Sequence, residues 1–205
     1  MSKGFGIQGK KSNWTLRKSL LLVAAIFLLG GMPSDASGTS TNRPTSWARR
    51  MEVAGVPNFY EVTTNLYRGA QPTAAGMKQL KTMGIRSVIS LREFHSDRGL
   101  ADSAGLKRIT FKMSPLHADD AEVVAFLKAV TDTNNLPVFV HCERGADRTG
   151  TMCAMYRIAV CGWSKADALK EMREGGFEFS PLWRNLVSYV EHADVAEIKY
   201  RAGLR

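Results

Sequence analysis

The tightest constraint on how this chain can fold is the run from Pro137 to Gly150, Pro-Val-Phe-Val-His-Cys-Glu-Arg-Gly-Ala-Asp-Arg-Thr-Gly. Its first four residues have no polar face, which suits a short strand at the centre of a sheet covered on both sides. Cys142 lies just past that strand, five residues separate it from Arg148, and residues 148–161 read as a helix. Strand, short loop and helix N-terminus in this order turn successive backbone N–H groups inward around one point. The result is an anion cradle, reinforced by the positive end of the helix dipole.

The surrounding pattern supplies the sheet that this element needs. Residues 59–62 and 66–68 read as two short strands. Residues 73–83 have helical spacing at Met77, Leu80 and Met83, with Gly84 placed to end the helix. The β-branched content of 85–91 predicts a buried strand, and 107–113 alternates as another. A helix over 119–130 opens on Asp119-Asp120-Ala121-Glu122, a capping-box spacing. After the cradle come helical stretches at 148–161, at 164–174 with Ser164 as cap, and at 181 to about 200. The expectation is an α/β fold: a central, mostly parallel sheet flanked by helices, with a helical C-terminal part. In such sheets ligands sit beyond the carboxyl ends of the strands, where His141 and Cys142 fall.

The N-terminus has a different composition. Lys3, Lys10, Lys11, Arg17 and Lys18 precede the apolar run 19–32, and Ser34-Asp35-Ala36 supplies small residues at the positions a signal peptidase reads. Residues 1–36 are therefore expected to be a cleaved export signal, giving a periplasmic or secreted protein. The alternative is an uncleaved N-terminal anchor, although the apolar run is shorter than the roughly 20 residues of a spanning helix. Residues 37–55 read as a flexible lead-in, polar and basic at first, and 56–205 as the functional domain. The net charge of +9 falls to +5 without residues 1–36, which hold five basic residues against one acidic. That mild surplus suits an anionic substrate and excludes the dense basic stripe of a nucleic-acid binder.

Three cysteines, Cys142, Cys153 and Cys161, make no disulfide framework. Two of them lie eight residues apart on one expected helix, roughly 12 Å along its axis, beyond disulfide reach. Cys153, with Met152 and Met155, reads as core. Cys142 is different, because the donors that would hold an anion also stabilise a thiolate. The backbone N–H groups of Glu143, Arg144, Gly145, Ala146 and Asp147 are the expected substrate ligands. Arg148 adds a planar fork for two phosphoryl oxygens, and Thr149 a hydroxyl for the sulfur when it leaves. Arg68 and Arg92 end expected strands, where each could attract an anion or form a surface ion pair.

Cys142, five residues, then Arg148-Thr149-Gly150 resembles the His-Cys-x5-Arg-Thr-Gly signature of the cysteine-dependent protein tyrosine and dual-specificity phosphatases. The resemblance extends to Leu66-Tyr-Arg-Gly-Ala-Gln-Pro72 and to residues 85–92, as in compact bacterial members, and covers about residues 56–195. It implies a phosphocysteine intermediate, no metal and no cofactor. It also implies a phosphorylated protein or a small anionic phosphoester as substrate, and a general acid on a loop before the signature. Asp120 is the first choice for that acid, ahead of Asp97, while Asp119 reads as a helix cap. Asp147 departs from the glycine that many tyrosine phosphatases carry before the arginine, and an Asp-Arg-Thr run also resembles phosphoinositide phosphatases. Inositol phosphates or lipid headgroups are thus alternative substrates, and a non-catalytic phosphate-binding module is a further alternative.

Overall fold

The computed structural model describes residues 43–205; the expected export signal at 1–36 lies outside them. Six strands form one mixed sheet: β1 (Arg49–Arg50), β2 (Tyr60–Thr63), β3 (Leu66–Gly69), β4 (Ser87–Ser90), β5 (Lys107–Thr110) and β6 (Val138–His141). Their spatial order is β1-β2-β3-β6-β4-β5. The pairs β3/β6, β6/β4 and β4/β5 are parallel, whereas β1/β2 and β2/β3 are antiparallel. β6 sits between two parallel neighbours and is buried along its whole length. Registry matters for function: Gly69 and Ser90 both pair with His141, and Thr110 pairs with Ser90. The loops that follow β3, β4, β5 and β6 therefore leave the sheet at one edge, around Cys142.

Among the described residues seven helices cover the two faces: α1 (Ala74–Thr82), α2 (Arg98–Ser103), α3 (Asp120–Thr131), α4 (Asp147–Ala159), α5 (Lys165–Glu174), α6 (Arg184–His192) and α7 (Val195–Ala202). Alternate strand residues divide between two cores. Phe139 and Val88 pack with Phe59, Met77, Leu80 and Ala101 under α1 and α2. Val138, Val140 and Ile89 pack with Phe126, Leu127, Met152, Met155 and Leu169 on the other face. Side-chain caps set several helix starts: Thr73 accepts from Gly76 N, Asp119 from Glu122 N and Ser164 from Asp167 N. Among the described residues no helix is long and apolar enough to cross a membrane.

Three features go beyond the sequence reading. The stretch 181–200 is two helices, because Asp194 turns its side chain to accept from Glu197 N and starts α7 afresh. The loop between β4 and β5 contains the short α2, whose one buried residue, Ala101, gives too weak a period to be read from sequence. Residues 43–55, the described part of the lead-in, also make contacts with the rest of the domain. Arg43 stacks its guanidinium on Trp47, Tyr60 and Phe177, and β1 extends the sheet.

One buried ion pair holds this segment to the helices. Arg157 donates to Glu171 through Nε and Nη2, both at 2.8 Å, and to the Ser46 carbonyl at 3.2 Å, while Glu171 accepts from Ala48 N at 2.6 Å. Breaking a buried pair from one side strands the other charge. Arg157→Met is expected to lower unfolding free energy by about 3 kcal/mol. The double variant Arg157→Met/Glu171→Leu should recover a large part of that loss. Urea denaturation of the three chains checks both statements.

Candidate active site

Cys142 lies directly beyond β6 and is buried, at 3% exposure. Each backbone carbonyl from 142 to 146 has a partner on the outside of the loop. The Cys142 carbonyl meets His141 Nδ1 at 2.9 Å, and that of Glu143 accepts from Gln71 N at 3.1 Å. Asn58 Nδ2 donates to the Arg144 carbonyl at 3.0 Å. Arg68 Nη2 donates to the carbonyl of Gly145 at 2.7 Å and of Ala146 at 3.3 Å. In a trans peptide the N–H of the next residue points opposite to the carbonyl. Fixing these carbonyls outward therefore directs the N–H groups of residues 143–147 inward. Among the described residues none of the N–H groups of 143–146 donates to a protein acceptor.

The helix that follows adds to this cradle. α4 has Ala146 at its N-cap, with no side-chain capping bond, and Ala146 is fully buried. An uncapped, buried helix start leaves donors that a bound anion can satisfy. Gly145 is the tight point of the loop, with φ +71° and the place of a Cβ only 2.3 Å from the Gly69 carbonyl group. No side chain fits there.

The side chains of the expected site divide sharply. Glu143 and Arg144 point outward, opposite Arg92 at 3.7 Å and Glu178 at 4.0 Å respectively. Asp147 accepts from Ser180 N at 2.8 Å and so ties the loop before α6 to the start of α4. Arg148 Nη1 donates to the carbonyls of Leu91 and Met113, both at 3.3 Å, which places the guanidinium between the loops that follow β4 and β5. Thr149 is fully buried and its Oγ1 has no hydrogen-bond partner among the described residues. Cys153 is also buried, and desolvation pushes its thiol up to about 11, which suits a packing residue rather than a nucleophile. All three cysteines are free.

The acid candidates are separated. Asp120 accepts from Tyr189 Oη at 2.8 Å and lies 4.0 Å from Arg201; these contacts are on α6 and α7, and its side chain is 38% exposed. Asp119 caps α3. Asp97 has no exposed side-chain surface; it accepts from Gln71 Nε2 at 2.8 Å and lies 3.0 Å from His141 Nε2. That approach to His141 is short but poorly aligned, so it counts as an ion contact rather than a directed hydrogen bond. Both ring nitrogens of His141 face oxygen atoms, Nδ1 the Cys142 carbonyl and Nε2 the Asp97 carboxylate. Burial alone would raise the Asp97 carboxyl, but the contacts from His141 and Gln71 outweigh it and hold the group well below the usual carboxylate range. Asp97 is thus a fixed charge behind the loop.

Sequence reasoning missed several residues here. Asn58 carries no mark in the sequence, Gln71 stands only within the stretch that bears the resemblance, and Arg68, placed at a strand end to attract an anion or form a surface ion pair, is buried behind the cradle. Glu122 read as part of a cap. Its carboxyl is raised, first by burial and then by the Asp119 charge, and its Oε2 has no hydrogen-bond partner.

The comparisons with known proteins agree with this geometry. The family described as "DSP-PTPase phosphatase fused to NAD+ Kinase" matches residues 56–182. The dual specificity protein phosphatase TpbA of Pseudomonas aeruginosa is 36% identical over 181 residues, 88% of this chain and 81% of that protein. Its crystal structure superposes with a TM-score of 0.70 at 32% identity, covering 78% of this chain and 98% of TpbA's. A cysteine-to-serine form of TpbA, in complex with pTyr, superposes equally well. The inositol diphosphatase DSP5 of Arabidopsis thaliana is 27% identical over 155 residues, 70% of this chain and 72% of its own length.

The Asp97 contacts lead to a pH-dependent prediction. Because the folded carboxyl is depressed, its stabilisation is complete above the unfolded value of about 3.9 and is lost as pH falls through the lower folded value. Asp97→Asn should cost about 2 kcal/mol at neutral pH. The gap to the parent chain should narrow below pH ~4; urea denaturation at neutral and acid pH measures it.

Proposed function

We propose that this chain, which belongs to the DSP-PTPase family of dual-specificity and tyrosine phosphatases, hydrolyses phosphomonoesters through Cys142 by way of a phosphocysteine. Phosphotyrosine is the favoured substrate, with phosphoserine and phosphothreonine as lesser ones. The observation that carries this reading is the outward anchoring of the carbonyls of residues 142–146, which leaves inward amides beside a buried thiol. A sulfur so little exposed favours the long reach of an aryl phosphate, in keeping with the pTyr complex of TpbA. The likeness to an inositol diphosphatase, together with Asp147 before the arginine, supports inositol phosphates as the alternative substrate.

In the proposed reaction the Cys142 thiolate attacks phosphorus and forms the S–P bond while the ester P–O bond breaks. Inward amides and the Arg148 donors not committed to Leu91 and Met113 neutralise the equatorial oxygens. A carboxyl at the start of α3 gives its proton to the leaving oxygen. We assign that role to Asp120, whose carboxylate accepts from Tyr189 and lies 4.0 Å from Arg201. The resulting carboxylate then takes a proton from water as that water attacks phosphorus, and the S–P bond breaks. Thr149, whose hydroxyl is otherwise unpartnered, donates to the departing sulfur. Residues 1–36 act as an export leader and 56–205 as the catalytic domain, so the working enzyme is periplasmic or secreted. N-terminal sequencing of the exported chain tests this; an unprocessed Met1 would overturn it.

Residues 37–205 should hydrolyse an aryl phosphate with a chelator present, and Cys142→Ser should abolish turnover while still binding inorganic phosphate. Steady-state rates and calorimetry check this, and activity on phosphopeptides above that on inositol phosphates decides the substrate class.

Loss of the acid should cost about a hundredfold with a poor leaving group and far less with p-nitrophenyl phosphate. Asp120→Asn is expected to show that contrast, and Asp119→Asn to lose stability and slow both substrates alike. The contrast appearing in Glu122→Gln or Asp97→Asn instead would move the acid to that residue.

A further inference from the structure

The described fold buries two arginines, and they are treated differently. Arg157 faces a carboxylate through two hydrogen bonds. Arg68 is 2% exposed and, among the described residues, has no carboxylate within ion-pair distance, and its Nε has no hydrogen-bond partner. Its contacts are the face of Phe177, 3.8 Å from the guanidinium carbon, and the carbonyls of Gly145 and Ala146. Burying a cation without a counter-ion is strongly unfavourable, and an aromatic face with two carbonyls offsets only part of the cost.

The position of Arg68 indicates what completes the balance. It lies behind the cradle, with two peptide groups between its charge and the pocket. Both turn their oxygen toward the guanidinium and therefore their N–H, on Ala146 and Asp147, toward the pocket. Cation and peptide dipoles point the same way, so an anion in the cradle sees their summed field.

We propose that Arg68 is the positioning residue of the anion site: it orients the Ala146 and Asp147 amides, and the counter-charge it lacks is supplied by the Cys142 thiolate or a bound phosphoryl dianion. This deepens the phosphatase reading and rests on it. Arg68 touches no substrate. The two arginines of the site divide the work, Arg148 holding oxygens from the open side and Arg68 setting the amides from behind. The buried charge makes the site selective for dianionic phosphoesters over neutral or singly charged analogues of the same shape.

The test compares the parent chain with Arg68→Gln and Arg68→Lys by thermal melting, with and without excess inorganic phosphate, and by turnover of an aryl phosphate. A ligand raises Tm only through its affinity for the folded state. Phosphate should raise the parent Tm. In Arg68→Gln the phosphate-free Tm should stay near the parent value, the phosphate-dependent rise should fall to less than half, and kcat should drop. The expected drop is about ten- to hundredfold, the scale on which residues behind a ligating group act. Arg68→Lys, with the charge but not the fork, should keep most of the rise and lose kcat. An Arg68→Gln chain that melts lower in both buffers yet keeps the full rise would make Arg68 a strut and overturn the inference. Should Arg68→Gln fail to fold, Arg68→Lys decides: a lost rise or an unchanged kcat overturns it. A parent Tm that phosphate does not move overturns the phosphatase reading along with it.

Discussion

The outward anchoring of five consecutive carbonyls is the constraint on which the rest of the site depends. A loop of residues 142–146 has no intrinsic reason to turn its amides to one side. It does so because β2's preceding turn, the end of β3, the turn after it and His141 of β6 each supply a donor at the right place. Those donors converge because β3, β6 and β4 are parallel and in register at their carboxyl ends. The antiparallel β1–β2–β3 part of the sheet is as necessary as the parallel part, since it brings Asn58 and Arg68 to the back of the loop.

Around that loop the other groups act as fixed charges and tethers. Asp97 and His141 form a buried pair on one side, Arg68 and Phe177 a buried cation on an aromatic face on another, and Asp147 ties the loop carrying Ser180 to α4. Arg148 reaches the carbonyl ends of the two loops that follow β4 and β5. Each surrounding loop is therefore joined to the cradle by at least one bond, and rearrangement of any of them alters the field at Cys142.

The sequence made the centre of this arrangement readable and left its supports dark, for a physical reason. The cradle is local: strand, cysteine, loop and helix are contiguous, and each has its own compositional mark. Its supports are contacts between residues far apart in the chain, Arg68 with Gly145, Asn58 with Arg144, Asp97 with His141, and no period or spacing encodes such pairings. The buried strands were clear from their β-branched residues, whereas α2 and the break at Ala193–Asp194 turned on single side chains. Asp120 was chosen for its place before the signature; its contacts with Tyr189 and Arg201 come from helices that meet only in the fold.

The lead-in that sequence composition suggested was loose has a consequence for where this domain begins. The family match starts at residue 56, but Arg43, upstream of it, already packs on the domain, its guanidinium sharing the Phe177 ring with Arg68. A chain begun at residue 56 would lose the Ser46 carbonyl and Ala48 N from around Arg157 and Glu171, and would leave Phe177 with a single cation. The Phe177 ring, against which Arg68 sits behind residues 142–146, is also contacted from the N-terminal side. Packing of the domain thus extends upstream of the family match.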